Sequence, residues 1–249
     1  MRVSIGQTPR FRDFLSAVGW VLERISPADL LVLPEYWVGT TPLNEEEFRQ
    51  YISLLSKVAE RTGGVVVGGA VAIKTGGVVK NICPVVGSGG VLTYGEKIFP
   101  SAATGERERI AGGEKLALFK AGNWTVGCVV CVDLLYPELV RKIAAAGAEV
   151  VVNPASIAAD RKDLWQSAGL VRAFENSIYV ISAVGTGYSY PDGRPVEGGS
   201  YVASPNGEIQ NFGSAPGIFY ATLRREEVEY ARARRRYLED LSRLEHVTI

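Results

Sequence analysis

Trp124-Thr125-Val126-Gly127-Cys128-Val129-Val130-Cys131-Val132-Asp133, with the segment Leu134 to Ala146 behind it, is the stretch around which the chain is organised. A continuous apolar run rich in β-branched valine predicts a buried strand. Tyr136-Pro137-Glu138, followed by Leu139, Val140, Ile143 and Ala144, predicts an amphipathic helix with proline in its first turn. Cys131 therefore falls where a strand stops and a helix is about to begin. Unpaired backbone N–H groups and the macrodipole at a helix N-terminus favour negative charge, so a thiol there is expected to have a lowered pKa and to act as a thiolate nucleophile.

Other roles compete for this cysteine. Cysteine is among the residues most often buried as a small hydrophobe. Cys128-Val129-Val130-Cys131 also has the CxxC spacing of thiol redox proteins and of half a zinc site. In a strand, however, residues three apart point to opposite faces, and the sequence has neither a second cysteine pair nor a histidine cluster to complete four ligands. No metal site is expected.

Composition narrows the classes further. The 249 residues are 47% hydrophobic, and 27 basic side chains balance 27 acidic ones. That length accommodates one large domain or two small ones, and the charge balance points to neither a nucleic-acid partner nor a disordered tail. Met1-Arg2-Val3-Ser4-Ile5-Gly6-Gln7 lacks the apolar core of a signal peptide, and Asp, Arg, Pro or Gly interrupts every apolar run before it reaches membrane-spanning length. A soluble, cytoplasmic protein with no membrane partner is the expectation, and an odd count of 3 cysteines suits a reducing compartment. His246 is the only histidine. A Ser-His-Asp or Cys-His enzyme needs an imidazole beside its nucleophile, so both are disfavoured unless this tail folds back, and a carboxylate is the better base for Cys131.

Working outward, Val3-Ser4-Ile5-Gly6 opens a short strand, and Phe11 to Ile25 has helical spacing in Phe14, Leu15, Val18, Leu22 and Ile25. Ala28 to Leu33 is an apolar strand ending at Pro34-Glu35. Glu45 to Arg61 is a helix with Asn44 as N-cap and Gly63 as stop. Strands follow over Val65 to Ile73, Val78 to Val86 and Val91 to Lys97. The second half echoes this order: Ala148 to Pro154 answers Ala28 to Pro34, a helix over Lys162 to Asn176 answers Glu45 to Arg61, and strands Ile178 to Val184 and Ser200 to Ala203 come next. Such self-similarity at a long offset suggests two related α–β layers packed face to face. Arg224 to Leu244, rich in Arg and Glu, reads as a helix with a solvated face or an arm lying on a neighbouring subunit.

Glu35 and Lys97 stand, like Cys131, at the downstream ends of apolar strands, where loops on a rigid sheet commonly present functional groups. Leu33-Pro34-Glu35-Tyr36-Trp37-Val38-Gly39, Gly95-Glu96-Lys97-Ile98-Phe99-Pro100 and Gly127-Cys128-Val129-Val130-Cys131-Val132-Asp133 occur in the order of the Glu, Lys and Cys motifs of the nitrilase superfamily, the carbon–nitrogen hydrolases. Tyr136-Pro137-Glu138-Leu139-Val140-Arg141 resembles the element that follows the family's cysteine, Arg172-Ala173-Phe174-Glu175-Asn176 its Arg-Ala-x-Glu-Asn helix, and Gly199-Ser200 through Pro205-Asn206-Gly207 its Gly-x-Ser…Pro-x-Gly strand. Two positions depart from the family pattern. Val132 stands where an aromatic residue is usual, and Ile98-Phe99 replaces the commoner His-Leu.

The resemblance implies a fold and a chemistry. The fold is α+β, a four-layer αββα sandwich of two sheets with outer helices, in a single domain over 1–249 with a C-terminal arm at 224–249. Cys131 is then the nucleophile, Glu35 the general base, and Lys97 with the backbone N–H of Val132 the oxyanion site, while the second carboxylate maps onto Glu106, which orients Lys97. Asp133 and Arg141 become scaffold groups that hold the turn in shape. Tyr36, Asn153 and Ser156 are candidate substrate contacts. Arg107, Arg109, Arg161 and Arg194 are candidate anchors for a substrate carboxylate, although solvated surface is the ordinary role of such residues. The implied reaction is hydrolysis of a small linear amide to a carboxylic acid and ammonia through a thioester, with no metal or organic cofactor, in a homodimer or an assembly of dimers. Nitrile and N-carbamoyl amine substrates fit the same site. A CxxC thiol redox protein and a catalytically silent scaffold are the alternatives from other classes.

Overall fold

Leu30, Leu31, Val32 and Leu33 are all fully buried, and they part in alternation between two apolar layers. Leu30 and Val32 join the core between two sheets, whereas Leu31 and Leu33 pack beneath helices. Val66 and Val67, and Val85 and Val86, divide in the same way. A strand covered on both faces reads as an unbroken apolar run, and these valine-rich segments therefore belong at the centre of a layered fold.

The computed structural model describes residues 1–241 and 243. In chain order the first elements are β1 (Arg2–Gln7), α1 (Phe14–Leu22), β2 (Leu30–Val32), α2 (Glu45–Thr62) and β3 (Val65–Val67). Then come β4 (Val71–Thr75), β5 (Val78–Gly87), β6 (Gly90–Glu96), β7 (Ala117–Ala121) and β8 (Trp124–Cys128). A 3₁₀ turn over Cys131–Leu135 leads into α3 (Pro137–Ala145), β9 (Val150–Ala155), α4 (Lys162–Asn176) and β10 (Tyr179–Val184). The remainder is β11 (Thr186–Ser189), β12 (Pro195–Glu197), β13 (Tyr201–Ala203), β14 (Ile209–Asn211), β15 (Gly217–Thr222) and α5 (Arg225–Arg235).

One sheet runs β15-β1-β2-β3-β5-β4 with β6 paired to β5, and the other runs β14-β13-β10-β9-β8-β7. β1, β2 and β3 are parallel, as are β8, β9 and β10, so the repeat read from the sequence is a repeated parallel unit with one copy in each sheet. Ala17 and Val18 of α1 and Tyr51 and Leu55 of α2 cover the outside of the first sheet. Val140 and Ile143 of α3 and Trp165 and Ala173 of α4 belong to the core of the second. The result is the four-layer αββα sandwich.

The local signals explain several boundaries. Asn44 accepts from Glu46 and Glu47 N–H while Glu47 returns a bond to the Asn44 N–H, a complete capping box, and Gly63 closes α2 in the left-handed region. Asp13 caps α1, which is shorter than the Phe11 to Ile25 span expected. The expected single strand Val65 to Ile73 is two strands. Gly68-Gly69 breaks it, because Gly69 has φ +76 and a Cβ there would sit 2.2 Å from the Pro34 carbonyl oxygen. The C-terminal helix stops at Arg235, with Arg236 at φ 55, rather than running to Leu244. It is also less solvated than its composition suggests, for Val228 and Ala231 are buried and Arg225 pairs with Glu149 at 2.8 Å. His246 lies outside the described residues. Among those described, no helix is long and apolar enough to cross a membrane.

Candidate active site

The strand expected to stop at Cys131 ends three residues earlier, at Cys128. Val129 and Val130 continue extended, and Cys131 opens the 3₁₀ turn with φ 48, a left-handed conformation that costs a non-glycine residue about 1–2 kcal/mol. Asn153 holds it there. Its Nδ2 donates to the carbonyls of Val129 and Cys131, both at 3.1 Å, while its Oδ1 accepts from Trp165 Nε1 at 3.1 Å and Ser182 Oγ at 3.0 Å. Fully buried, with both amide hydrogens and both lone pairs engaged, Asn153 shapes the turn and presents nothing to a substrate. Arg172 binds the far end of the same turn through the carbonyls of Leu134 and Leu135, and Arg141 ties α3 to the Glu175 carbonyl at 2.8 Å.

Asp133 joins this turn to the other sheet. Its two carboxylate oxygens accept from Ile98 N at 2.8 Å and Phe99 N at 2.9 Å, so the loop that follows Lys97 is pinned beside Cys131. Lys97 itself is anchored by its N–H to the Asn81 carbonyl. Its ammonium is 1% exposed and donates to Glu35 Oε1 at 2.8 Å and Glu106 Oε2 at 2.6 Å. Glu106 also accepts from Ser101 N at 2.8 Å and, on its other oxygen, from the Tyr36 hydroxyl at 2.9 Å. Asn81 Nδ2 donates to Glu35 Oε1 at 2.9 Å and to the Tyr36 hydroxyl at 3.1 Å. Tyr36, with φ 55, is the second left-handed non-glycine residue of the site.

Glu35, Lys97, Glu106 and Cys131 thus line one cavity of about 330 Å³, together with Tyr36, Val132 and Ser156. The Cys131 thiol donates to the Ser156 carbonyl at 3.6 Å, and the Glu35 carboxyl lies near enough to bear on it electrostatically. That Ser156 carbonyl also accepts from the Tyr190 hydroxyl, and Ser156 Oγ pairs with the Tyr188 hydroxyl at 2.8 Å. Asn81, Tyr188 and Tyr190 were not legible as site residues. Asn81 interrupts an apolar strand with no local motif around it, and the two tyrosines sit in a polar hairpin. Arg161 and Arg194 reach the cavity, whereas Arg107 is turned to the Pro100 carbonyl and Arg109 is not among its lining residues.

Electrostatics in this cluster are set by burial and by its own charges. Burial raises the Glu35 carboxyl above its ordinary value, against the attraction of Lys97. Burial also pushes the Cys131 thiol well up, and the Glu35 carboxylate pushes it the same way against Lys97. The lowered thiol pKa expected from a helix N-terminus is therefore not found. The residues after Cys131 form a short 3₁₀ turn and α3 begins only at Pro137, so burial, and after it the Glu35 carboxylate, set the direction. Burial disfavours the Lys97 ammonium, but Glu35, Cys131 and Glu106 together hold its pKa well above the usual value. For Glu106, burial is outweighed by Lys97 and the Ser101 and Tyr36 hydrogen bonds, and the net shift is downward.

Cys128, the other half of the CxxC spacing, faces the core between the sheets, where its sulfur lies 3.6 Å from that of Cys83. Both are buried free thiols. Among the described residues, no group of three or more His, Cys, Asp or Glu side chains is disposed to hold a metal ion.

A thiol beside a carboxylate and an ammonium, at a small cavity, is a constellation suited to acyl transfer through sulfur. The sequence model of the carbon-nitrogen hydrolases matches residues 4–233, and the chain belongs to that family. It is 30% identical over 215 residues to a Staphylococcus aureus protein described as a hydrolase in the agr operon, covering 82% of this chain and 81% of that one. It is 28% identical over 208 residues to the 2-oxoglutaramate amidase of Bacillus subtilis, covering 80% of each. A solved structure of a CN-hydrolase superfamily protein from Xanthomonas campestris, with an arsenic adduct in its active site, matches with a TM-score of 0.85 at 22% identity over 96% of both chains. The protein is an enzyme of carbon–nitrogen bond hydrolysis.

Proposed function

We propose that the enzyme hydrolyses a small linear amide to a carboxylic acid and ammonia through a thioester on Cys131. The observation that carries this reading is the single ammonium of Lys97 held between Glu35 and Glu106 at 2.8 and 2.6 Å, with the Cys131 thiol lining the same cavity. Because Cys131 rests as a thiol, its proton passes to Glu35 as sulfur attacks the carbonyl carbon. The carbonyl oxygen becomes anionic and is met by Lys97 and the Val132 N–H, where one donor is commonly worth about 3 kcal/mol. Glu35 returns the proton to nitrogen as the carbon–nitrogen bond breaks and ammonia leaves. Water then attacks the thioester, giving its proton to Glu35, and the departing sulfur takes it back. Glu106 keeps Lys97 in place throughout, and the amidase named among the relatives favours amides over nitriles as the first substrates to try.

Intact-protein mass spectrometry during incubation with amides, N-carbamoyl amines and nitriles tests this. The expected result is an acyl adduct on Cys131 with amides, no adduct and no turnover in Cys131→Ser, and near-normal turnover in Cys128→Ser. Turnover that survives Cys131→Ser, or that is lost in Cys128→Ser with the fold intact, would overturn it in favour of other chemistry.

We further propose a homodimer. Val171 and Phe174 of α4 and Tyr230 of α5 are exposed large apolar side chains on elements that carry no catalytic group. Light scattering coupled to size-exclusion chromatography should give twice the 26.9 kDa chain mass, and a monomer at micromolar concentration would refute the assignment.

A further inference from the structure

We infer that Asn81 is a positioning residue of the reaction: it pins one oxygen of Glu35, so that the other, Oε2, carries every proton the base takes up. This rests on the amide-hydrolase reading above, in which Glu35 is the base, and adds which atom of that base works and what decides it.

On β5, Asn81 shares a strand face with Cys83 and Val85, both buried in the core between the sheets. A polar side chain on such a face costs stability unless its groups are hydrogen-bonded. Asn81, 1% exposed, meets that condition only in part. Its Nδ2 donates to Glu35 Oε1 at 2.9 Å and to the Tyr36 hydroxyl at 3.1 Å, whereas its Oδ1 finds no partner among the described residues. Turning the amide over would set Oδ1 against the Glu35 carboxylate, acceptor against acceptor. The orientation is therefore fixed by the base, and the orphaned oxygen is its cost.

Lys97 donates to the same Oε1 at 2.8 Å. A carboxylate oxygen offers about two lone pairs, so these two donors fill Oε1, and neither engages Oε2. One donor alone would leave the carboxyl free to turn, because the terminal torsion of glutamate is broad. A second, from another strand, fixes its plane. Asn81 is itself held, since its carbonyl accepts from Lys97 N at 2.9 Å. The Tyr36 hydroxyl that receives its amide hydrogen donates onward to Glu106, whose other oxygen accepts from Lys97, and the ring closes at Glu35. Asn81 does not line the cavity, so it acts through Glu35 and not on the substrate.

The Cys131 proton accordingly goes to Oε2 and leaves from Oε2 with ammonia, and the proton of the attacking water takes the same path. Glu35 works through one atom in both halves of the cycle. The donor also bears on when the base is ionised, because burial raises Glu35 and an N–H bonded to the ionised form opposes that rise. Lys97, Cys131 and Glu106 are the titratable groups closest to it in effect, with Tyr36, Cys83, Asp133, Tyr188 and Tyr190 around them. All remain when Asn81 alone is changed, so a moved titration reports the lost donor.

The test is the pH profile of kcat/KM in Asn81→Leu, which keeps the side-chain volume, and Asn81→Ala, which does not, with urea midpoints to show that each is folded. Both lose the donor, so both should move the acid limb up by about one pH unit, as for a lost hydrogen bond to a charged group. The two shifts should match although the two stabilities differ. Turnover should fall by about tenfold or more, with KM within about twofold of the wild type. Alkylation of Cys131 by iodoacetamide, followed by intact mass without any amide present, should show the same displaced limb. An unmoved acid limb in a folded variant, shifts that follow stability instead of the lost donor, or a loss carried by KM alone removes the assignment. The two readings fail separately: if no amide acylates wild-type Cys131, the hydrolase reading falls, while the alkylation limb still shows whether Asn81 governs Glu35.

Discussion

Replacing Lys97 with methionine removes the one ammonium between two buried carboxylates while keeping the side-chain volume nearly unchanged. Its Nζ lies 2.8 Å from an oxygen of Glu35 and 2.6 Å from one of Glu106, so by the sum of these distances the two oxygens are at most about 5.4 Å apart. At an effective dielectric of about 20, two like charges at that separation repel by about 3 kcal/mol. Deleting one partner of a buried ion pair costs about 3–5 kcal/mol by itself, and the loss of stability expected for Lys97→Met at neutral pH is of that order. The pH dependence follows from the same charges. Attraction by Lys97 lowers both carboxyls, so without it both move up relative to the wild type. A carboxyl that binds its proton more tightly in the folded state than in the unfolded one stabilises the fold at low pH, and that contribution is lost as pH rises from the unfolded value, 4.5 for glutamate, through the raised folded one. Urea denaturation of both proteins should therefore show a gap in unfolding free energy that is smallest in acid, below the ordinary glutamate value, and widens toward about pH 8. Turnover should fall by at least about a hundredfold, since an oxyanion donor is lost and the base is held protonated. A gap that is constant with pH, or widest in acid, would refute the account of Lys97 as the counter-ion of this site.

Two further outcomes follow from local geometry. Asp133→Asn replaces one acceptor oxygen with an amide that cannot receive the Ile98 or Phe99 N–H, so about 1–3 kcal/mol of stability should be lost and kcat should fall through a displaced Lys97, while Asp133→Glu, which keeps both acceptors, should recover part of it. Glycines in two helices should respond with opposite signs in denaturant midpoint: Gly169→Ala puts a Cβ 1.9 Å from the Tyr201 hydroxyl of a fully buried ring and should cost about 1–3 kcal/mol, whereas Gly19→Ala meets nothing within 4 Å and should gain about 1 kcal/mol.

The layered fold was legible because its strands are short runs of fully buried aliphatic residues and its second helix carries both end signals, Asn44 with Glu47 and Gly63. Which neighbour each face packs against was not legible, since Leu30 and Leu31 look alike in sequence and only the assembled sheets send one to the inner core and the other beneath a helix. In the site, Glu35, Lys97 and Cys131 stood out through ordered motifs at strand ends. Asn81 had no motif and contributes only because β5 runs beside Lys97 in space. Asn153 shows the opposite failure: a polar residue at a strand end, read as a substrate contact, is consumed by four internal bonds. Cys131 was read from its local position at the start of a helical segment, but the direction of its pKa is set by residues far away in the chain, chiefly through burial and then Glu35.

That direction bears on how the site works. With Glu35 and Glu106 ionised and Lys97 protonated, the buried cluster carries one net negative charge, and forming a thiolate by losing a proton to solvent would add a second in a low-dielectric pocket. Passing the proton from Cys131 to Glu35 adds none: the charge moves from carboxylate to sulfur, and then, as sulfur bonds to carbon, from sulfur to the carbonyl oxygen. Each move keeps the negative charge beside the same ammonium, because Lys97 already touches Glu35 at 2.8 Å and bears electrostatically on Cys131. A fixed cation between two acids would therefore serve every stage of the proposed cycle without relocating, with Glu106 holding it from behind at 2.6 Å and Asp133 fixing its loop against the Cys131 turn. Preorganisation of this kind requires groups from both sheets to be locked together. The buried hydrogen bonds of Asp133 and Asn153, neither of which would touch the substrate, are thus as necessary to the proposed chemistry as the thiol itself.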